Sequence, residues 1–540
     1  MAIIGNVADQ WYIGSHPVYR GYSAIENTRD SDGRLCHATS NQTTGRTYCR
    51  DDEYQVMLQE SVERRLLETQ RERGHPTSGD GNVSEGAGSG GGAGDGEDAD
   101  EGREAGEGGY WFPAYDSYCV ANVPETALSL LSHSSSDAFE HRLPESVFDG
   151  VDLDGIDTVV LFLLDGFGYE HWTRDYRDHE LLARITDQGT VTPLTSIYPS
   201  ETAAAITTLQ TGALPVEHGL LGWFQYLASA DQVITTLPFL TTSGEPLESA
   251  APAADPDDLF DAEPVYSRAA DEGIDSYAIQ PEAYAESGYS RVSTAGAERI
   301  GYGDPAELAA TIREVCESSG SGSESSATSA RTPTYVYAYE PTIDAVSHVE
   351  GTTADRYQDE LGTITTQLQQ EFVAALESSV AERTLLLVTA DHGLVDTVPS
   401  ENIEMEAWED WPAIRESFRR DEHGEPRLPT GSPRNAHFHV QPDRVADVRE
   451  RLAAHLGDEA MIVTREEALE RDLFGPSTPS SLFDSRCGDL LVIHRNRGLS
   501  WPLPGTDESA VGDQIGLHGG LTREEMLVPL AAVRLDSLRG

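Results

Sequence analysis

The chain has 540 residues, 93 Asp and Glu against 37 Lys and Arg, and a formal net charge of −56 at pH 7. Because such a charge repels other polyanions, it argues against nucleic acid polymers and anionic membranes as main partners. With 38 % hydrophobic residues and no lysine, the composition predicts a globular protein whose acidic surface is adapted to high salt, as in the salt-rich cytoplasm of a halophile.

The N-terminal residues and the hydropathy of the chain predict a cytoplasmic protein. The first residues, MAIIGNVADQWYIG, lack the charged n-region and the apolar core of a secretory signal. No apolar run approaches the ~20 residues that span a bilayer. The cysteines are scattered and odd in number, which predicts no disulfide framework; they are Cys36, Cys49, Cys119, Cys316 and Cys487.

The composition divides the chain into three parts. Residues 1–77 contain one helix-like stretch, YQVMLQESVERRLLETQ, and receive no functional assignment. Within them, Cys36, His37 and Cys49 match no standard zinc spacing. Residues 78–108 are almost entirely Gly, Ser and acidic residues, which predicts a flexible linker. Residues 109–540 are predicted to form one large domain with a small inserted α+β cap at about 398–486.

After residue 109, strand-like runs alternate with helical patterns. TVVLFLLDG (158–166) and TLLLVTADHG (384–393) are continuous apolar runs, typical of strands buried on both faces. TYVYAYEP (334–341) and DLLVIH (489–494) are further predicted strands. The pattern predicts an α/β fold, with a mostly parallel central sheet and helices on both faces.

Two of the buried strands end in aspartate. Asp165 follows the apolar residues of the first run. Asp391 follows the apolar residues of the second run and directly precedes His392. Ligands of open α/β sheets bind beyond the carboxyl ends of the strands, so both carboxylates are expected in one crevice. A single aspartate at a strand end is more often a turn residue. Two of them, one followed by histidine, favour a metal site.

Two further motifs place candidate ligands. EPTIDAVSHVEG puts Asp344 and His348 four residues apart, on one face of a helix and within reach of one cation. An exposed helix pair is the alternative. GLHGGLTREEMLVPL puts His518 before two glycines, which let the backbone approach a ligand closely, although a simple turn has the same composition.

The stretch YPSETAAAITTLQTG (198–212) predicts a helix of small residues with Ser200 at its N-cap. Thr202 then lies in the first turn, where unpaired N–H groups and the helix dipole attract anions such as phosphate. A threonine near a helix start is common without any catalytic role. On this stretch alone, Thr202 is a candidate nucleophile and no more.

These motifs, in their order along the chain, resemble those of the alkaline phosphatase superfamily. The resemblance is closest to its type I phosphodiesterase/nucleotide pyrophosphatase family, as a haloarchaeal-type member. The resemblance covers the chain from about Tyr110 to the C-terminus and implies that residues 109–540 are an alkaline phosphatase-like catalytic domain. It also implies two divalent metal ions, zinc in the best-known members, with Mn²⁺ or Mg²⁺ as alternatives. The implied ligands are Asp165, Thr202, Asp391 and His392 for one ion, and Asp344, His348 and His518 for the other.

The resemblance implies hydrolysis of phosphodiester or pyrophosphate bonds in small, nucleotide-like substrates. Thr202 would attack phosphorus while two metals about 4 Å apart clamp the attacking and leaving oxygens. Water would then hydrolyse the phosphothreonyl intermediate. The family typically carries asparagine three residues after the nucleophile, where this chain has Ala205. A phosphomonoesterase therefore stays open as an alternative, followed by a phosphomutase or a non-catalytic metal-binding scaffold.

Two residues are candidates for substrate binding. Arg434, in the predicted cap, is a candidate phosphate partner, with a surface arginine as the alternative. Trp223 is a candidate for stacking on a base, with core packing as the alternative. The sequence does not indicate whether the protein is a monomer or an oligomer.

Overall fold

The structure is a computed structural model that describes residues 27–29, 35–37, 60–73, 109–132, 139–318, 331–503 and 509–539. The linker predicted at 78–108 lies outside the described residues, as does Cys49. For Cys36 and His37, only the backbone is described.

The described residues form twenty β-strands: β1 (Asn27–Arg29), β2 (Leu35–His37), β3 (Thr158–Leu164), β4 (Thr190–Thr195), β5 (Phe224–Leu227), β6 (Gln232–Thr235), β7 (Leu240–Thr241), β8 (Asp275–Pro281), β9 (Glu298–Tyr302), β10 (Thr334–Glu340), β11 (Thr384–Thr389), β12 (Val395–Asp396), β13 (Ile403–Glu404), β14 (Thr430–Ser432), β15 (Asn435–Phe438), β16 (Ala460–Thr464), β17 (Leu490–His494), β18 (Leu499–Ser500), β19 (Gly516–Leu517) and β20 (Leu527–Arg534).

The same residues form nineteen α-helices: α1 (Glu60–Arg73), α2 (Val123–Leu131), α3 (Tyr169–Asp175), α4 (Glu180–Gln188), α5 (Thr202–Thr211), α6 (Pro215–His218), α7 (Leu247–Ala250), α8 (Val265–Asp271), α9 (Glu282–Ala285), α10 (Gly288–Ser293), α11 (Pro305–Ser318), α12 (Thr342–Glu350), α13 (Asp355–Gln367), α14 (Ser378–Ala381), α15 (Trp411–Glu416), α16 (Val445–Leu456), α17 (Arg465–Glu470), α18 (Ser481–Arg486) and α19 (Arg523–Met526). A π-helical turn, Leu368–Val373, continues α13. None of the described helices is both long and apolar enough to cross a bilayer.

The central sheet has seven strands in the order β4-β20-β11-β3-β10-β8-β9. Only β20 runs against the others, pairing antiparallel with β4 and β11. Strand β3 pairs in parallel with both β10 and β11, so Thr158 lies opposite Thr334 and Thr384. The predicted α/β fold with a mostly parallel sheet is confirmed. The continuous apolar runs reflect burial of both faces, since every residue of β3, β10 and β11 is buried.

Helices cover both faces of this sheet. On one face, Phe162 and Leu164 of β3 contact side chains of α4 and α13. On the other face, α2 and α5 pack together, and α2 also contacts β3 and β10. Because β3 and β10 end side by side in parallel, Asp165 leaves the sheet beside Glu340 and donates its backbone N–H to the Glu340 carbonyl, 3.0 Å away. The carboxyl ends of these parallel strands therefore lie at one edge of the sheet.

A second sheet, also of seven strands, has the order β16-β17-β15-β14-β5-β6-β7 and is antiparallel throughout. Its strands come from two stretches of the chain, residues 224–241 and 430–494. The strand predicted at DLLVIH is confirmed as β17, and it belongs to this second sheet. Leu491 packs on the main core and Leu490 on a second one, so burial on both faces imitates a parallel-sheet strand.

Helix α1 packs on the main domain, although the predicted linker separates it from that domain in sequence. Val62 and Leu66 are buried in the main core. The Gln70 amide donates to the Phe112 carbonyl (2.8 Å) and accepts from the Phe112 N–H (2.7 Å). This segment is therefore part of the same folded unit.

Candidate active site

Helix α5 begins at Thr202, which confirms that Thr202 lies in the first turn. The predicted N-cap at Ser200 was wrong: Glu201 occupies the cap position, and the Ser200 hydroxyl donates to the Gly520 carbonyl at 2.7 Å. Thr202 is buried, with 7 % of its surface exposed. Its Oγ1 lies 3.0 Å from His392 Nε2, which connects the helix start to the end of β11.

Asp165 and Asp391 lie together beyond the ends of the neighbouring strands β3 and β11. Asp391 Oδ1 accepts hydrogen bonds from the N–H groups of Gly166 (3.2 Å) and His392 (3.0 Å), which tie the two strand ends together. His392 Nε2 lies 3.5 Å from Asp165 Oδ1 and 3.3 Å from Asp391 Oδ2. Position 166 requires glycine, because its backbone is left-handed (φ +71°) and because a Cβ would lie 2.6 Å from a Leu394 methyl group.

Helix α12 and the loop before α19 bring Asp344, His348 and His518 together. Asp344 Oδ2 lies 3.2 Å from His348 Nε2, one helical turn away, as the spacing predicted. Its other oxygen, Oδ1, lies 3.7 Å from His518 Nε2. These side chains are partly accessible, with exposed fractions of 14 % for Asp344, 21 % for His348 and 9 % for His518.

The two groups form one cluster. Asp165, Asp344 and His392 each offer a ligand atom within 4.8 Å of the others, and so do Asp344, His348 and His518. The His392 and His518 rings stack with centroids 3.7 Å apart. All the ligands expected from the sequence therefore meet at the carboxyl edge of the central sheet.

The three imidazoles share one orientation. In each, Nδ1 lies within hydrogen-bonding distance of a backbone carbonyl: Gly393 at 3.0 Å for His392, Gly516 at 2.7 Å for His348 and Ser200 at 3.3 Å for His518. An Nδ1–H that donates to a carbonyl leaves the lone pair on Nε2. Each Nε2 points to a carboxylate of the cluster, as ligands of a shared cation would.

The carboxylates also lack the partners that buried charge requires. Among the described residues, Asp165 Oδ1, Asp344 Oδ1 and Asp391 Oδ2 are buried and accept no hydrogen bond. An uncompensated buried carboxylate is costly, and bound cations are a common remedy. Imidazole nitrogen and carboxylate oxygen suit a divalent metal ion such as zinc. The residues present therefore fit the metal site that the sequence predicted.

The electrostatics differ between the two groups. Burial, reinforced by Asp391 and Asp344, raises the pKa of Asp165 well above its usual value. Burial also raises the pKa of Asp391. Burial acts in the same direction on Asp344, but His348 and His518 outweigh it and hold the pKa of Asp344 below its usual range. Burial and the neighbouring His392 lower the pKa of His518 well below its usual value.

The structure adds residues that the sequence reading did not single out. Tyr339 donates its hydroxyl to Asp165 Oδ2. Glu201, next to Thr202, is buried with Oε2 unpaired, and burial raises its pKa to about 8. The alternation of tyrosines in TYVYAYE marks one face of β10 and was the available signal for Tyr339. Glu201 gives no such pattern.

A cavity of about 370 Å³ adjoins the cluster. Its lining includes Ile206, one turn after Thr202 on α5, and Tyr339, whose hydroxyl contacts Asp165. Further lining residues are Gln280, Tyr284, Tyr289 and Tyr337. The Gln280 Nε2 group is buried and donates no hydrogen bond among the described residues. The cavity thus combines aromatic walls with two polar groups that have no partner among the described residues, the Gln280 amide nitrogen and the Tyr337 hydroxyl.

The two predicted substrate-binding residues differ in their burial and contacts. Arg434 is fully buried, and its guanidinium is hydrogen-bonded to Glu525 and to two backbone carbonyls. The prediction that it binds phosphate is not supported, because its donors are directed to protein acceptors. Trp223 is half-buried and packs against both hydrophobic cores, as its core-packing alternative required. Base stacking by Trp223 stays a prediction.

Solved structures share this architecture. Murine ectonucleotide pyrophosphatase/phosphodiesterase 5 is 15 % identical, with a TM-score of 0.50 over 69 % of this chain and 87 % of that chain. The same figures hold for its inactive variant, a threonine-to-alanine substitution, in complex with AMP. Phosphonoacetate hydrolase from Sinorhizobium meliloti 1021, in complex with phosphonoformate, is 17 % identical, with a TM-score of 0.47 over 71 % of this chain and 94 % of that chain.

A comparison with curated proteins finds no match to the chain. The family model for type I phosphodiesterase/nucleotide pyrophosphatase matches residues 159–519. This range contains every ligand of the cluster as well as Thr202, and it spans well over half of the chain. The chain therefore belongs to the type I phosphodiesterase/nucleotide pyrophosphatase family.

Proposed function

We propose that the protein is a two-metal phosphohydrolase that cleaves phosphodiester or pyrophosphate bonds of small, nucleotide-like substrates, with Thr202 as its nucleophile. One observation carries this proposal: the Thr202 hydroxyl lies at the start of α5, 3.0 Å from His392 Nε2, within a cluster of buried carboxylates that lack partners. A hydroxyl in that position has both ligands for cations and helix N–H groups for phosphate around it.

The ligand assignment follows the two groups of the cluster. Asp165, Thr202, Asp391 and His392 would hold one divalent ion, and Asp344, His348 and His518 the other, with Zn²⁺ favoured by the donor set and Mn²⁺ or Mg²⁺ as alternatives. Bound ions supply the positive charge that a threonine hydroxyl needs to ionise near neutral pH and that offsets charge on phosphoryl oxygens.

The protein residues then account for the two steps. Thr202 Oγ1 forms a bond to phosphorus as the bond to the leaving oxygen breaks, and the hydroxyl proton ends on the departing group. The phosphoryl group on Thr202 keeps its other ester substituent. Water attacks the same phosphorus, the Thr202–phosphorus bond breaks, and phosphate monoester is released. The N–H groups in the first turn of α5 would orient phosphoryl oxygens. Burial of Thr202 limits competing attack by bulk water.

The cavity supports a substrate with a planar group. Its volume of about 370 Å³ lies in the range typical of small-molecule sites, about 300 to 1,000 Å³. Tyr284 and Tyr289 offer aromatic faces, and Gln280 offers an unpaired amide donor. The AMP complex of the murine protein favours the same substrate class. A phosphomonoesterase is the second candidate, because Ala205 offers no side-chain donor beside the nucleophile.

The test compares Thr202→Ala with Thr211→Ala, a buried threonine at the other end of the same helix. With bis(p-nitrophenyl) phosphate in molar salt, Thr202→Ala should lower kcat by about a thousandfold or more. It should keep the wild-type unfolding transition, and Thr211→Ala should keep most of the activity. An active Thr202→Ala enzyme would remove Thr202 from the mechanism. Faster turnover of p-nitrophenyl phosphate than of the diester would favour the phosphomonoesterase.

A further inference from the structure

We propose that the buried pair Arg434–Glu525 positions the loop that carries His518, so that the metal site formed with Asp344 and His348 depends on the second sheet. This inference rests on the proposed function, because it takes these three residues to be metal ligands. It assigns Arg434 and Glu525 as positioning residues that contact neither substrate nor metal.

Glu525 is the anchor of the loop. Its carboxylate accepts hydrogen bonds from the Gly520 N–H (2.9 Å), the Thr522 N–H (3.2 Å) and the Thr522 hydroxyl (2.7 Å). Gly520 and Thr522 follow His518 by only two and four residues. The short segment between His518 and α19 is therefore folded around one buried side chain.

Arg434 connects this anchor to the second sheet. It lies between β14 and β15 and is fully buried. Its Nε and Nη2 donate to the two oxygens of Glu525 at 2.9 and 2.7 Å. Nη1 and Nη2 also donate to the carbonyls of Arg497 (3.1 Å) and Arg495 (2.7 Å), just beyond β17. The guanidinium thus holds Glu525 in one place and in one orientation.

The same segment contacts the other parts of the site. The Glu525 carbonyl accepts a hydrogen bond from the Gly393 N–H (2.9 Å), directly after His392. The Gly520 carbonyl accepts from the Ser200 hydroxyl (2.7 Å), and the Ser200 carbonyl lies 3.3 Å from His518 Nδ1. A shift of the segment would therefore move His518 Nε2 relative to Asp344.

The bidentate geometry of the Arg434–Glu525 pair suits it to position the loop. A bidentate arginine fixes a carboxylate in both distance and angle, whereas a buried point charge fixes distance alone. Outer-shell partners of metal ligands typically change metal affinity by about 10- to 100-fold when they are removed. Loss of the pair should act in the same way on the His518 site, with a smaller effect on the site at the strand ends, because the pairing of β3 with β11 also holds that site.

The experiment uses the full chain and compares Arg434→Met with Arg486→Met. Arg486 is a buried arginine that donates to the carbonyls of Gly219, Leu259 and Asp258, so it controls for loss of a buried guanidinium. Metal-free protein is titrated with Zn²⁺ against a chromophoric chelator. We expect Arg434→Met to weaken one of the two binding steps by about 10- to 100-fold and to recover kcat at saturating Zn²⁺. Arg486→Met should bind both ions as the wild type does.

The double variant Arg434→Met/Glu525→Gln guards against misfolding, because it leaves no unpaired buried charge. It should fold and show the same selective loss of one Zn²⁺. Equal Zn²⁺ affinities in Arg434→Met, the double variant and the wild type would overturn the inference and leave the proposed function intact. A wild type that binds no Zn²⁺ and hydrolyses no phosphoester would instead overturn the proposed function.

Discussion

The two halves of the candidate metal site are built on different supports. The sheet half, Asp165, Thr202, Asp391 and His392, lies at the ends of two adjacent parallel strands and at a helix start, and every member is buried. The loop half, Asp344, His348 and His518, comes from one helix and one loop and is partly accessible. Backbone pairing of β3 with β11 positions the sheet half. Contacts from the second seven-stranded sheet position the loop that supplies His518 to the loop half.

The difference is also electrostatic. In the sheet half, Asp165 and Asp391 lie close together in a buried space, and their pKa values are raised. In the loop half, two histidines flank one carboxylate, and the pKa of Asp344 is lowered. Among the described residues, the sheet half also holds two buried carboxylate oxygens without a hydrogen-bond partner, Asp165 Oδ1 and Asp391 Oδ2, against Asp344 Oδ1 in the loop half. We therefore infer that the sheet half depends more strongly on a bound cation, and the following predictions test this contrast.

The largest effect is expected when a ligand of each half is replaced. Asp391→Asn removes a charge from the sheet half and alters the acceptor of the Gly166 and His392 N–H groups. We expect it to lower kcat by about a thousandfold or more and to abolish one equivalent of bound metal. His348→Asn should lower kcat by about two orders of magnitude, about 3 kcal/mol of transition-state stabilisation.

Metal content and steady-state rates of both variants measure this contrast. A matched surface control is His423→Asn, since His423 is exposed and belongs to neither half of the cluster. Equal losses in Asp391→Asn and His348→Asn would show that the halves act as one unit.

Removal of metal should lower the thermal stability of the wild type. A ligand present at about a hundredfold its Kd stabilises the folded state by about 2.7 kcal/mol, so chelation should lower Tm by about 3 °C for a domain of this size. Scanning fluorimetry at constant salt concentration measures the shift. Asp391→Asn should show a smaller chelator-induced shift than His348→Asn, and the reverse order would contradict the contrast.

The smallest effect is expected at Tyr339. Tyr339→Phe removes the hydroxyl that donates to Asp165 Oδ2, and kcat/KM should fall by about tenfold, as for an outer-shell partner of a metal ligand. Tyr337→Phe is a matched control, because Tyr337 lines the same cavity and its hydroxyl has no hydrogen-bond partner among the described residues. If both variants lose the same activity, the cavity wall matters and the hydrogen bond to Asp165 does not.

The sheet half was the more predictable one from sequence. Asp165 and Asp391 end continuous apolar runs, and parallel strands bring such ends to one edge whatever the rest of the fold does. Asp344 and His348 were predictable because helical spacing alone sets them on one face. For these residues, local sequence determines the geometry.

The surroundings of the site were not predictable in the same way. Arg434 and Glu525 lie 91 residues apart, and no local pattern indicates that they form a pair. Strand β17 was predictable as a strand, but its place in the second sheet was not, because its two faces pack on two different cores. The cap at Glu201 was missed because the Ser200 hydroxyl has a tertiary partner, Gly520. Each of these features depends on contacts that arise only once the chain has folded.

A shortened version of this protein should retain helix α1. Its Glu63 forms an ion pair with Arg523, which opens the helix directly after the His518 loop, and Arg523 also contacts Glu170 and the Trp111 ring. A reading frame or expression fragment that begins at residue 109 would retain the whole ligand cluster and lose this support. It would also expose apolar surface that Val62 and Leu66 cover, so such a fragment would be prone to aggregation.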